Sequence, residues 1–422
     1  MQTHLPAKAV ANRIALLLPS LKGGGAERSM LNLVGAFLAR GRDVDLVLCR
    51  ATGAYLDSIP DELAMVELEA TAGIPARIKA ALSVVHDLDV AAKPVLLARK
   101  IAPEIARLHA LRRYIRNRRP DVILSAITYA NLIAIWAGKT RGIETPVVVS
   151  ERIALSTHCL TPANQRRWRW RYLPELVNRF YPFADAVVSV SEQVAEDLSV
   201  AAGLDRRHVA TIYNPVVDDA LRRRAQEPLE HEWFAPGAIP VILGAGRLVE
   251  QKDFSTLIRA FAQLRKGREA RLVILGEGKQ RYALEGLAGE LGVRDDVLLP
   301  GFVENPFWYM ARASVFALSS RYEGLPGVLI QALACGCPVI STNCPGGSAV
   351  ILANGKYGPL VDVGDVAAMA GAIESQLDNP TARDLLLGRA EDFSVERAAD
   401  RYLELLDDVV AGAGARVQVM KS

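Results

Sequence analysis

Apolar residues run unbroken through 13–19 (RIALLLP), the pattern of a strand buried on both faces. Residues 21–25 (LKGGG) form a turn. From 26 to 40 the apolar positions Met30, Leu33, Val34, Phe37 and Leu38 recur with the helical period. Further strands are expected at 44–49, 121–126, 146–150, 186–190 and 209–212, with helices between several of them. Alternating strands and helices imply parallel α/β layers. The longest apolar run, 122–138, is short for a membrane span and carries Ser125, Thr128 and Asn131. It reads as a buried strand running into a buried helix. Residues 71–119 break the rhythm with Ala-, Leu- and Arg-rich helical patterns. Residues 214–238 are polar and contain three prolines, a linker composition. A second alternation then predicts strands at 241–245, 271–275, 297–299, 315–318 and 339–341. An amphipathic helix follows near 395–410.

With 422 residues, the chain exceeds the roughly 250–300 residues at which one core stops growing. The expected organisation is an α/β domain over 1–213, a linker over 214–238 and a second α/β domain over 239–394. A last helix is expected over 395–412. Hydrophobic residues at 50% and charged residues at 23% exclude disorder, collagen and coiled coil. The net charge of +3 hides an asymmetry, because residues 1–225 hold 31 Lys+Arg against 22 Asp+Glu and the remainder is acidic. The basic half is therefore the one expected to meet an anionic partner. Five cysteines without a CxxC spacing, and an N-terminus without an apolar run, point to a reducing cytosol.

Candidate chemistry falls at the ends of the predicted strands. Gly23, Gly24 and Gly25 lie between the first strand and the first helix. A helix N-terminus there suits a diphosphate, or the glycines serve only a tight turn. The dinucleotide fingerprint GxGxxG is not matched, which disfavours a nicotinamide cofactor. Asp43 and Asp45 share one face of a strand, but no third ligand accompanies them, so they read as solvated strand ends. In the acidic half Arg247 follows a strand and Lys252 comes five residues later. A forked guanidinium and a point-charge ammonium past a strand's carboxyl end suit a diphosphate; the alternative is a surface ion pair with Glu250 or Asp253. Glu323 sits in a Gly/Pro loop that opens a helix, with Gln331 eight residues on.

Together these residues resemble the retaining glycosyltransferases of family 4, of GT-B architecture. The wording EGLPGVLIQALACGCPVISTNCPGG, the early GGGAER, LGEG at 275–278 and PGFVEN at 300–305 are similar to the subgroup that builds bacterial surface glycans. The resemblance implies two Rossmann-like domains facing across a cleft, with the last helix, 395–412, crossing back to the first domain. It implies transfer of a hexosyl or N-acetylhexosaminyl group, with retention, from a nucleotide diphosphate sugar, UDP favoured. The acceptor would be a glycan or a lipid-linked molecule. By the same resemblance Arg247 and Lys252 clamp the diphosphate, Glu323 contacts the transferred sugar and Gln331 the ribose. Gly276, Glu277, Phe302 and Val303 line the base pocket, while Leu325, Gly327 and Val328 supply phosphate-facing amides. Gly24 and Gly25 close over the phosphates. No metal or cofactor is required.

Three positions depart from the family pattern. Gln331 stands where the second Glu of E-x7-E is usual, Pro326 removes an amide, and Val350 stands where Glu is frequent. They keep open a catalytically weak relative, and fold alone keeps open a nucleotide-sugar isomerase or hydrolase. On the first domain, Glu151 and Arg152 of a Ser-Glu-Arg after a strand are expected on the acceptor side, the alternative being an ion pair. Residues 166–172 mix four arginines with three aromatics, and 71–119 carry a charge of +8. Both could meet an anionic membrane surface from a cytoplasmic, peripheral position, or be solvated helix faces. No nucleic-acid module is recognisable.

Overall fold

Thirteen strands build two parallel sheets in the computed structural model. It describes residues 10–412 apart from 61, 72–74, 79, 81–87, 140–142, 160–161, 229 and 236. The first unit takes the chain up to Pro215 and again from Glu396 onward; the second is Val216–Val395.

In the first unit the strands are β1 (Arg13–Leu18), β2 (Asp43–Leu48), β3 (Ala64–Glu67), β4 (Val122–Ala126), β5 (Val147–Glu151), β6 (Ala186–Ser189) and β7 (Val209–Thr211). Their order is β3-β2-β1-β4-β5-β6-β7, with every pair parallel. Five of the six residues of β1 are buried, as the unbroken apolar run requires of a strand covered on both faces. Helix Gly25–Ala39 buries Met30, Leu33, Val34 and Phe37. After β4 the helix Thr128–Gly138 is buried at every position, so the apolar run 122–138 is a core strand and a core helix. Asp43 pairs with Arg13, and Asp45 accepts from the Tyr114 hydroxyl at 2.7 Å.

Trp168, Tyr172, Leu176 and Phe180 recur every four residues, but they do not share one helix. A helical turn covers Trp168–Arg171, and a new helix, Leu173–Phe180, starts with Pro174 in its first turn. Proline is tolerated there because its missing N–H is not needed. Leu176 and Phe180 enter the core, where Phe180 meets Trp136 edge-on at 5.3 Å. Trp168 remains 43% exposed. Of the basic stretch 71–119, residues 72–74, 79 and 81–87 lie outside the described residues.

The last helix, Val395–Val410, buries Ala399, Tyr402 and Leu406 completely. Its Asp407 accepts from the Ala11 amide at 2.8 Å and pairs with Arg42 at 2.9 Å, and its Asp400 pairs with Arg40.

In the second unit β8 (Val241–Ala245), β9 (Arg271–Leu275), β10 (Val297–Gly301), β11 (Val315–Leu318), β12 (Val339–Thr342) and β13 (Leu360–Val361) pair in parallel in the order β10-β9-β8-β11-β12-β13. Each sheet thus reverses direction beside its own first strand, between β1 and β4 and between β8 and β11. Helices Phe254–Leu264 and Val366–Asp378 cover this core.

The segment 214–238, expected as a linker, is largely part of the second unit. It carries helix Asp219–Gln226, capped by Asp218. Asn305 Nδ2 donates to the Arg224 carbonyl at 3.0 Å, and Trp308 Nε1 to Glu227 at 3.1 Å. Its polar composition hid a helix that buries only Leu221 and is held otherwise by hydrogen bonds.

Candidate active site

Open parallel sheets take ligands past their carboxyl ends, where the strand order reverses. In the second unit that place lies beyond β8 and β11. After β8 the chain turns at Gly246, φ +155°, where the Lys252 side chain lies alongside the backbone. Lys252 Nζ donates to Glu323 Oε1 at 2.5 Å. Ser320 Oγ donates to the same oxygen at 2.6 Å, and Ser319 Oγ holds the Lys252 carbonyl at 2.8 Å. Glu323 is 7% exposed, so its charge is compensated by one ammonium and one hydroxyl rather than by water. Lys252 is thus paired neither with Glu250 nor with Asp253; Asp253 pairs instead with Arg321.

Three glycines let these loops interlock. Gly276, φ +132°, packs so tightly that a Cβ there would overlap the Gly246 carbonyl oxygen. Gly278 stands likewise against Leu248, and Gly346, φ +126°, against the Glu323 carbonyl. The Gly246 amide donates to Leu275 at 2.9 Å, the Gly276 amide to Gly301 at 2.7 Å and the Glu323 amide to Pro345 at 2.9 Å. The strand ends of β8, β9 and β10 are joined in this way by backbone alone, and so are the loops after β11 and β12.

Helix Gly327–Ala334 starts at the same loop, with Pro326 as its N-cap residue. The amides of Gly327 and Val328 have no acceptor within the helix, and the dipole end favours an anion. Both residues are half-buried, as is Gln331, while Leu325 is buried. Arg247 is exposed, and its side chain has no hydrogen bond or ion pair among the described residues. An exposed guanidinium, a paired ammonium and helix amides without intrahelical acceptors are groups of the kind that suit a diphosphate.

The residues expected around a base pocket diverge. Gly276 lies in the interlocked loops, and Val303 is half-buried. Phe302 is 80% exposed. The Glu277 carboxylate is committed to Arg281, whose guanidinium holds it below the usual carboxylate range. Val350 lies in a short helical turn, Ser348–Ile351, and its carbonyl accepts from Arg389.

In the first unit Gly24 is the N-cap residue of helix Gly25–Ala39 and Gly23 takes φ +96°. Glu151 and Arg152, at the end of β5, do not pair with each other among the described residues. The Glu151 carboxylate is buried and accepts from Tyr181, from Thr128 Oγ1 at 3.1 Å and from Asn131 Nδ2 at 3.1 Å. In this arrangement the carboxylate is held inside the unit by three donors. No local pattern pointed to Tyr181, Asn131 or Tyr402 as partners, because each of these contacts joins segments at least 20 residues apart.

Burial pushes the Glu151 carboxyl up to about 7, against the opposing hydrogen bonds from Tyr181, Thr128 and Asn131. Its ordinary value is 4.5. Between these values the folded chain keeps a proton that the unfolded chain releases, so stability falls as pH rises from 4.5 to about 7. Glu151→Gln is expected to flatten that fall. Urea midpoints at pH 5 and pH 8 measure it; an undiminished difference in the variant contradicts the assignment.

All five cysteines are buried and free, and burial raises the thiols of Cys335 and Cys159 to about 12. They are unreactive packing residues. Among the described residues no cluster of three His, Cys, Asp or Glu could hold a metal ion, and no helix is long and apolar enough to cross a membrane.

Two family models match the chain: Glycosyltransferase Family 4 over residues 23–220 and Glycosyl transferases group 1 over residues 227–391. A curated relative from Campylobacter jejuni is 31% identical over 281 residues, 65% of this chain and 72% of the relative. It is an N-acetylgalactosamine-N,N'-diacetylbacillosaminyl-diphospho-undecaprenol 4-alpha-N-acetylgalactosaminyltransferase. A second C. jejuni relative is 27% identical over 94% of this chain and 99% of its own. It is an alpha-1,4-N-acetyl-D-galactosaminyltransferase acting on GalNAc-alpha-(1->4)-GalNAc-alpha-(1->3)-diNAcBac-PP-undecaprenol. Among solved structures, Anabaena HepE in complex with UDP superposes with a TM-score of 0.71 at 19% identity, covering 93% of this chain and 98% of that one.

Proposed function

The chain belongs to the family 4 glycosyltransferases, of GT-B fold, and from that premise we propose that it moves a hexosyl or N-acetylhexosaminyl group from a UDP-sugar to a lipid-linked or glycan acceptor, with retention of configuration. The observation that carries this reading is the meeting of Lys252, Glu323 and Ser320 past β8 and β11, beside the open amides of helix Gly327–Ala334.

The bond from the anomeric carbon to the diphosphate breaks as the acceptor oxygen attacks from the same face. The departing phosphate oxygen takes the acceptor's proton. Negative charge grows on the diphosphate as that bond breaks, and in this reading Arg247, Lys252 and the amides of Gly327 and Val328 stabilise it. Glu323, held by Lys252 and Ser320, receives the sugar hydroxyls. Gln331 reaches the ribose as a neutral hydrogen-bonding group. In this reading protein cations and amides carry the leaving-group charge, and no cofactor takes part.

The lipid-linked acceptors in the relatives' names support an acceptor of that class, and the UDP in a solved neighbour supports the donor. The half-exposed Trp168 and the arginines around it supply a surface for an anionic leaflet, with the protein peripheral on the cytoplasmic side.

A thermal-shift panel of UDP- and GDP-sugars, followed by transfer assays into a membrane lipid extract, tests the proposal. The expected result is stabilisation by a UDP-sugar and labelling of lipid only when donor and extract are both present. Rapid donor consumption without extract overturns it in favour of a hydrolase or isomerase.

A further inference from the structure

The first unit has its own strand-order reversal, between β1 and β4. Two features of different kind lie at that carboxyl end. One is the glycine turn into helix Gly25–Ala39, fifteen residues long, whose first amides lack intrahelical acceptors. The other is Arg152, the residue after β5. It is 7% exposed. Its Nη1 donates to Ser150 Oγ at 3.3 Å and to the Tyr402 hydroxyl at 3.4 Å, both neutral oxygens. Its Nε and Nη2 are buried and meet no acceptor among the described residues.

A guanidinium does not shed its proton in a protein, and a buried charge without a counter-ion is costly. The neighbouring carboxylate, Glu151, is occupied by Tyr181, Thr128 and Asn131. Glu27, which folds back over Gly24, acts on the Arg152 charge together with Tyr402 and Glu151; this ties the arginine to the glycine turn. The two idle nitrogens form the side-on fork of the guanidinium, which fits two oxygens of one phosphate.

We propose that Arg152 holds a phosphate or diphosphate group of a substrate at the carboxyl end of the first unit's sheet, with Tyr402 of the last helix as its positioning residue. This deepens the glycosyltransfer reading and rests on it for the identity of the substrates. The group belongs either to a lipid diphosphate or to the nucleotide donor.

The test uses the full chain, two probes (farnesyl diphosphate and UDP) and the variants Arg152→Met, Arg152→Lys and Tyr402→Phe. Affinities come from calorimetry and stability from melting curves. Arg152→Met is expected to weaken one probe by about ten-fold or more while melting at or above the wild-type temperature, because the deleted charge has no partner to lose. Arg152→Lys restores part of the affinity. Tyr402→Phe weakens the same probe by a smaller factor without lowering the melting temperature. Loss confined to farnesyl diphosphate assigns the phosphate to the acceptor, and loss confined to UDP assigns it to the donor. Unchanged binding of both probes by Arg152→Met overturns the proposal. So does a lowered melting temperature with affinity lost equally in Arg152→Lys, the mark of a structural residue. A wild-type chain that transfers sugar, beside an Arg152→Met variant that transfers it equally well and binds both probes unchanged, sinks this inference alone. A wild-type chain that transfers none, yet binds farnesyl diphosphate through Arg152, sinks the glycosyltransfer reading alone.

Discussion

Replacing Lys252 by methionine is expected to lower kcat by about 10²–10³-fold, the usual cost of removing one preorganised group from a developing charge. KM for the donor should change far less, since the ammonium matters most when the leaving group is fully charged. The same change strips Glu323 of its cation. With side-chain exposures of 14% and 9%, breaking this pair from one side should also cost about 3–5 kcal/mol in stability. The double variant Lys252→Met/Glu323→Gln separates the two effects. It is expected to regain most of the stability, because the uncompensated carboxylate is gone, and none of the turnover. Single-turnover assays and urea titrations on the wild type and the two variants measure both. A double variant that recovers turnover would remove Lys252 from the chemistry and leave it a structural ion.

Gly276→Ala should be the most damaging single methyl group in the second unit. Its φ of +132° is strained for any side chain, and the added carbon would overlap the Gly246 carbonyl oxygen. That oxygen is backbone and cannot swing aside, and Gly246 itself already sits at φ +155°. The expected loss is about 3 kcal/mol or more, together with loss of UDP binding, since the displaced loop carries Arg247 and Lys252. Gly286→Ala is the control, for a Cβ there meets nothing. Melting temperature and UDP titration read the outcome, and equal behaviour of the two variants would show that the loops are not locked.

The regular part of the fold was legible because buried parallel strands are written as apolar runs. The strands that escaped are β3 and β13, both at sheet edges with a single neighbour. β3 alternates between half-buried and exposed, and β13 has two residues; neither leaves a pattern that stands out from a loop. Helix Asp219–Gln226 escaped for the opposite reason, as its polar residues work through hydrogen bonds to distant backbone. At the site, the motifs gave the residue types and spacing that single out Lys252 and Glu323. They did not give partners. That Glu277 goes to Arg281, that Glu151 turns inward to Tyr181, and that Tyr402 reaches Arg152 from 250 positions away depend on packing that no local pattern encodes.

The first unit is built from two stretches of chain, with Val216–Val395 between them. During synthesis the ribosome completes the middle portion before the helix bearing Tyr402, Leu406 and Asp407 has emerged. Until then the early portion waits with an uncovered apolar groove and with Ser150 and Arg152 missing a neighbour. The later-made lobe is one contiguous piece and can mature first, reversing the usual N-to-C order of domain folding. A chain cut off before residue 396 therefore holds a complete second unit and an unfinished first one.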